Sequence, residues 1–127
     1  MSELTPDAEL TELLDAIARA AELSVGVDTF EYLLLDLLAL LESGRVARPV
    51  AIAELRRLGT DWPWGAVQAL EFTMRRLRWP EVREALESHR LRGADFRTRT
   101  LASQVLEVYQ DDWPVGEIYE SYRRGDS

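Results

Sequence analysis

The side chains able to do acid–base, nucleophilic or metal chemistry are few and dispersed. The one histidine, His89, lies on the apolar side of a helical pattern, with neither a Glu-x-x-His nor a His-Glu-x-x-His around it to suggest a metal site. It reads as a core-facing residue near a helix C-terminus, where the dipole favours a partly protonated ring. Asp111 and Asp112 are adjacent in a turn, and neighbours in sequence diverge rather than converge on one reacting atom; Asp112 is expected to cap the segment after it. Ser24, Ser43, Ser88 and Ser103 lack a nucleophile-elbow context, and the seven glycines stand singly at element ends, not in a phosphate-cradling loop. The absence of cysteine removes thiol catalysis, cysteine-bound metal and disulfides. An enzyme would have to be built from carboxylates alone. The expectation is a non-enzymatic chain with no cofactor and no metal.

Two residue sets remain that make contacts rather than reactions. Arg75, Arg76, Arg78, Arg83, Arg90, Arg92, Arg97 and Arg99 cluster across two helices and a turn. They read as a solvated face balanced by acids elsewhere, or as a patch for an acidic protein, or, with Arg75, Arg76 and Arg78 in front, as phosphate contacts for nucleic acid. The second set is Trp62, Trp64, Trp79 and Trp113. Three of these are tied to expected helix starts and read as core wedges, whereas Trp64 is additional to that pattern and is the expected exposed contact residue.

Charge is strongly segregated along the chain. Net charge is −8, yet residues 1 to 44 carry ten acids and one base, 45 to 99 carry seven acids and twelve bases, and 100 to 127 carry six acids and two bases. An acidic whole disfavours general nucleic-acid binding, while the basic middle keeps a local version open. All 15 basic residues are arginine, the usage of a GC-rich bacterial genome. At 127 residues and 46% hydrophobic, the chain suits one domain with a real core, an acidic helical pair over 1–44 followed by a repeat-like part over 45–124. Met1 to Pro6 has no positive n-region or apolar h-region, so no signal peptide is expected, and the expected location is cytoplasmic.

The elements that must position these residues are all helical. Thr5-Pro6-Asp7 opens a first amphipathic helix with Leu10, Leu13, Leu14, Ile17 and Ala21 on one face and Glu9, Glu12 and Asp15 around the rest. Asp28 and Glu31 have capping-box spacing. The helix from about Asp28 to Glu42 carries leucines on nearly every side, so it is expected to be covered on most sides, with Leu34, Leu37, Leu38 and Leu41 buried, or else to be a self-association face. Glu31 and Asp36 make it unsuited to a membrane. Pro49 opens a short helix expected to stop at Gly59.

From there an aromatic recurs every 17 residues, at Trp62, Trp79, Phe96 and Trp113, with proline after three of the four. Proline suits the first helical position and bars its predecessor from the α region, so each step is read as a helix start. On the first of these helices Glu71 and Arg75 are spaced as an ion pair. The last, from Pro114, is assigned the stripe Val115, Ile118, Tyr119 and Tyr122, and Arg123 to Ser127 is expected to fray. About seven helices result, with no strand pattern.

Pro80-Glu81-Val82-Arg83-Glu84-Ala85-Leu86 resembles the second helix of a HEAT repeat, and Arg99-x-x-Ala102-x-x-x-Leu106 is similar. The resemblance spans about residues 49 to 124 and implies a short α-solenoid; the alternative is a compact helical bundle. The expected function is protein binding, with Glu9, Glu12, Asp15 and Trp64 as contacts and a basic partner favoured by charge. A bacterial immunity or antitoxin protein acting on a basic toxin fits that description. The competing expectation is DNA binding, since Ile52, Leu55, Leu58, Val67 and Leu70 have helix-turn-helix spacing.

Overall fold

The computed structural model describes residues 5–123, so the amino-terminal four residues and all but Arg123 of the fray expected over Arg123 to Ser127 lie outside it. The described residues form a compact all-α fold, 80% helical, with six α-helices and no strand. The α-helices are α1 (Pro6–Leu23), α2 (Glu31–Ser43), α3 (Arg48–Asp61), α4 (Ala66–Leu77), α5 (Pro80–Arg92) and α6 (Phe96–Leu106). A carboxy-terminal strap of 3₁₀ turns comes next, over Glu107–Tyr109, Pro114–Ile118 and Glu120–Tyr122. One further 3₁₀ turn, Val27–Thr29, precedes α2.

Helix boundaries obey local chemistry where that chemistry is strong. The Thr5 hydroxyl accepts from Ala8 N at 3.1 Å, capping α1 as the sequence indicates, and Asp95 accepts from Thr98 N at 2.7 Å, capping α6. Trp79 is the N-cap of α5 with Pro80 at its first position. Phe96 opens α6 but is 75% exposed, so it fills no wedge, whereas Trp62, Trp79 and Trp113 are buried.

Several expectations are corrected. Trp62 closes α3 instead of opening α4: it sits in the left-handed region (φ 49°) and donates to Leu58 O at 2.9 Å, and α4 begins only at Ala66. Gly59 does not stop α3 but lies inside it, buried where α5 comes close; a β-carbon there would meet Leu86 at 3.5 Å. No capping box forms at Asp28, because Phe30 is the N-cap of α2 and the Glu31 carboxylate turns away to the strap. Nor does Asp112 cap the 3₁₀ turn at Pro114: Trp113 takes that place with no side-chain cap bond. After Pro114 the chain forms 3₁₀ turns rather than an α-helix. There the inward positions are Trp113, Gly116, Tyr119 and Tyr122, a spacing of three that matches three residues per turn, while Val115 and Ile118 are exposed.

Packing divides into two groups joined by one helix. Helix α2 packs on α1 and on α4, while α5 packs on α6 and α3. Helix α4 also touches α3, α6 and the strap, so it ties the groups together. One continuous core results, from Leu10 in α1 to Tyr119 in the strap. This connectivity shows no evidence of HEAT repeats.

A candidate protein-binding surface

The turn between α3 and α4 is built to hold one tryptophan outside. Trp62 is buried, and the guanidinium of Arg97 donates to its carbonyl at 3.1 Å. Pro63 fixes φ by its ring, and its carbonyl accepts from Ala66 N at 3.0 Å. Gly65 adopts φ 79° and ψ −4°, the values of the third residue of a type II turn, where only glycine fits freely. It is also pressed on α1: a β-carbon would lie 2.8 Å from Ile17 Cγ2 and 3.1 Å from Ala21. With both neighbours pinned, Trp64 has little backbone freedom, yet it is 64% exposed.

Depressions flank this ring on both sides. One, of about 580 Å³, runs between α4 and α6 past Val67, Gln68, Leu101 and Gln104. The other, of about 220 Å³, is shared with Val25 and Phe30. Val25 is fully exposed, and Leu23, at the end of α1, is 86% exposed. The sequence signal for Leu23 and Val25 is slight: both lie past the last inward position of the α1 stripe and before Gly26.

The acids named with Trp64 stand elsewhere. Glu9 is chelated by Arg45, with Nη1 to Oε1 at 3.2 Å and Nη2 to Oε2 at 2.7 Å. Hydrogen bonding to Arg45, ahead of the attraction of its charge, holds the Glu9 carboxyl below the usual carboxylate range. Glu12 and Asp15 lie exposed on α1. Ala21, the α1 residue beneath the Trp64 turn, is twelve positions after Glu9, roughly 18 Å along the helix at 1.5 Å per residue. The structure thus separates one expected site into two ends of α1, both within reach of an interface of ordinary size.

Apart from Arg92, which is exposed, the arginines of the cluster have partners within the chain. Arg75 donates to the carbonyls of Val108, Gln110 and Asp111 at 2.9, 2.6 and 3.1 Å, and lies over the Trp113 ring. Arg76 pairs with Glu42 at 3.6 Å, and Arg78 reaches Gln110 O at 3.5 Å. Arg83 lies over Tyr109, Arg90 pairs with Glu87, and Arg99 donates to Gly93 O. The expected Glu71–Arg75 pair does not form. Glu71 is buried, accepting from the Tyr119 hydroxyl at 2.8 Å and from Gln104 at 3.4 Å. Burial, more than any neighbour, raises its carboxyl above the usual range.

The other candidates for chemistry stay apart. His89 is half-buried between α3 and α5 beside Arg56, Thr60 and Ser88, and Asp111 and Asp112 are both exposed. Among the described residues no group of three or more His, Asp or Glu is placed to hold a metal. No helix among them is long and apolar enough to cross a membrane. Comparison with protein-family models, with curated proteins and with solved structures returns no match.

Proposed function

We propose that this chain works by binding another protein, and that Trp64 is the anchor of the contact. The observation that carries this reading is the Trp64 turn: a large aromatic held out by a buried Trp62, a proline and a glycine seated on α1, beside exposed Val25. Holding a large ring beside an exposed apolar side chain is costly in water, and tryptophan is enriched among the residues that carry most of the binding energy of interfaces. Pre-organisation reduces the entropy lost on docking. The acidic amino-terminal half, with Glu12 and Asp15 exposed and Glu9 already engaged by Arg45, suits a basic partner, as an immunity or antitoxin protein would meet a basic toxin.

The nucleic-acid alternative draws little support from the geometry. A recognition helix must enter a groove with one face free, and α4 is buried from Ala69 to Met74 on every side. Arg75, Arg76 and Arg78 already have partners.

A photo-crosslinking residue at position 64, with a control at exposed Leu91, tests the proposal in cells of the source organism. A discrete protein adduct at 64 and none at 91 is expected. With that partner purified, Trp64→Ala should weaken binding by about 30-fold or more, the scale of an interface hot spot. Equal adducts at both positions, or unchanged affinity, would overturn the reading. Duplex DNA bound more tightly at low salt than any protein would favour the alternative.

A further inference from the structure

A second surface lies on α2, away from the Trp64 turn. Tyr32 is 62% exposed and Leu35 46%, and Ala39 is exposed one helical turn on. Positions 32, 35 and 39 fall on one helix face, so they form an apolar stripe about 10 Å long. Carboxylates rim it on both sides. Asp28 and Glu120 share a depression with Tyr32 and Leu35, and Glu9, Glu12 and Asp36 share another with Ala39. Asp28, Asp36, Glu12 and Glu120 form no ion pair with any described residue. The single cation lining either depression is Arg45, already chelated by Glu9. Glu31 is part of the rim but is occupied, accepting from Glu120 N, Ser121 N and the Ser121 hydroxyl.

We propose that this acid-rimmed stripe of α2 is the docking surface for a basic amphipathic helix of the partner protein. The inference rests on the protein-binding reading above but uses a different face. An apolar seam with unpaired carboxylates on both flanks is complementary to a helix with leucine-like residues at i, i+3 and i+7 and Lys or Arg beside them. Seam contact supplies the apolar burial, and the flanks fix orientation and speed encounter. A second copy of this chain is a poor occupant, because a two-fold contact would set carboxylates against carboxylates. Nucleic acid and anionic lipid meet the same repulsion.

The test titrates the isotope-labelled full chain, monitored by NMR, with a short synthetic Leu/Lys amphipathic helix and with a Leu/Glu helix of the same length. The Leu/Lys peptide is expected to shift amides around Tyr32, Leu35 and Ala39, and the Leu/Glu peptide to leave them unmoved. Leu35→Asp and Asp36→Arg should each weaken Leu/Lys binding by about tenfold, and added salt should weaken it further. Both side chains are exposed, so an unchanged melting temperature is the folding control, and Asp36→Arg stands alone if Leu35→Asp fails it. Trp64→Ala should leave the peptide titration unchanged. Shifts at the Trp64 turn instead of α2, equal binding of the two peptides, no binding at low salt, or self-association abolished by Leu35→Asp would each overturn the proposal. The first of these leaves Trp64 as an anchor and removes only the α2 surface. A peptide seated on α2, with natural-partner affinity indifferent to Trp64→Ala, does the reverse.

Discussion

Helices α2 and α4 exchange the roles their compositions suggest. Seven of the thirteen residues of α2 are leucine, yet it keeps one face open, with Tyr32, Leu35, Asp36 and Ala39 in solvent. Helix α4 holds a glutamate, a threonine, a glutamine and two arginines among twelve residues, yet six consecutive positions from Ala69 to Met74 are buried, more than a full turn. Composition describes what a helix can bury, and position in the fold decides what it does bury. Helix α4 lies between both packing groups and beneath the strap, so Glu71, Thr73 and Arg75 are satisfied from outside the helix or by its own backbone. Glu71 is met by Tyr119, Arg75 reaches the strap carbonyls, and the Thr73 hydroxyl donates to Ala69 O at 2.7 Å. The apolar side chains facing out on α2 have no such cover, and this contrast makes α2 a candidate contact surface.

The contrast breaks most visibly under truncation. Phe72 in α4 is fully buried with ring centroids 5.4 and 5.1 Å from Tyr119 and Tyr122, so Phe72→Ala should cost about 3–5 kcal/mol in denaturant unfolding. Leu35→Ala on the open face of α2 should stay within about 0.5 kcal/mol. Comparable losses at the two sites would mean that α2 is covered after all, by association of the chain with itself. An intermediate effect is expected where α2 does meet the strap. Removing the Glu31 carboxylate leaves two backbone N–H groups and a hydroxyl without their acceptor, so Glu31→Ala should cost about 2 kcal/mol. Amide exchange at Glu120 and Ser121 should quicken in the same variant. Unchanged exchange would show that the aromatic residues alone hold the strap.

What the sequence made legible was local. The all-helical class, the Thr5 cap, the Trp79-Pro80 start and the burial of Leu34, Leu37, Leu38 and Leu41 each depend on residues within a turn or two of one another. Trp64 was separable from the other tryptophans because it stood outside their spacing. The misses have a common physical origin in contacts that span the chain. Glu71 pairs as an α4 surface residue only if Tyr119, 48 positions later, is ignored, and Glu31 caps its own helix only if Ser121 is. The strap departs from the expected helix for a different reason, since its inward residues repeat every three positions, the period of a 3₁₀ helix, and not every 3.6. The arginines form a patch in sequence but not in space, because positions on two helices and a turn project in different directions: Arg75, Arg78, Arg97 and Arg99 to backbone carbonyls, Arg76 and Arg90 to carboxylates, and Arg83 to a tyrosine ring.

The finest test of the contrast is the pH dependence of stability, because it isolates the buried charge of α4. Burial raises the Glu71 carboxyl above its usual value of 4.5, so the folded chain holds that proton to higher pH than the unfolded chain does. Between the two values the folded state binds more protons, and stability falls as pH rises through that window and levels off above it. Glu9, Glu81 and Asp95 have the opposite sign. Hydrogen bonds lower their carboxyls, so their contribution is present above the usual values and is lost as pH falls through the lowered ones. Glu71→Gln keeps an acceptor for the Tyr119 hydroxyl but carries no charge at any pH. The difference in melting temperature between the variant and the parent chain should therefore grow in the variant's favour as pH rises above 4.5, while the acid limb set by the other three carboxyls stays the same in both. A difference curve that is flat, or that slopes the other way, would show that Glu71 is stabilised as an anion by Tyr119 and Gln104, and that the interior of α4 is less costly to a charge than its burial implies.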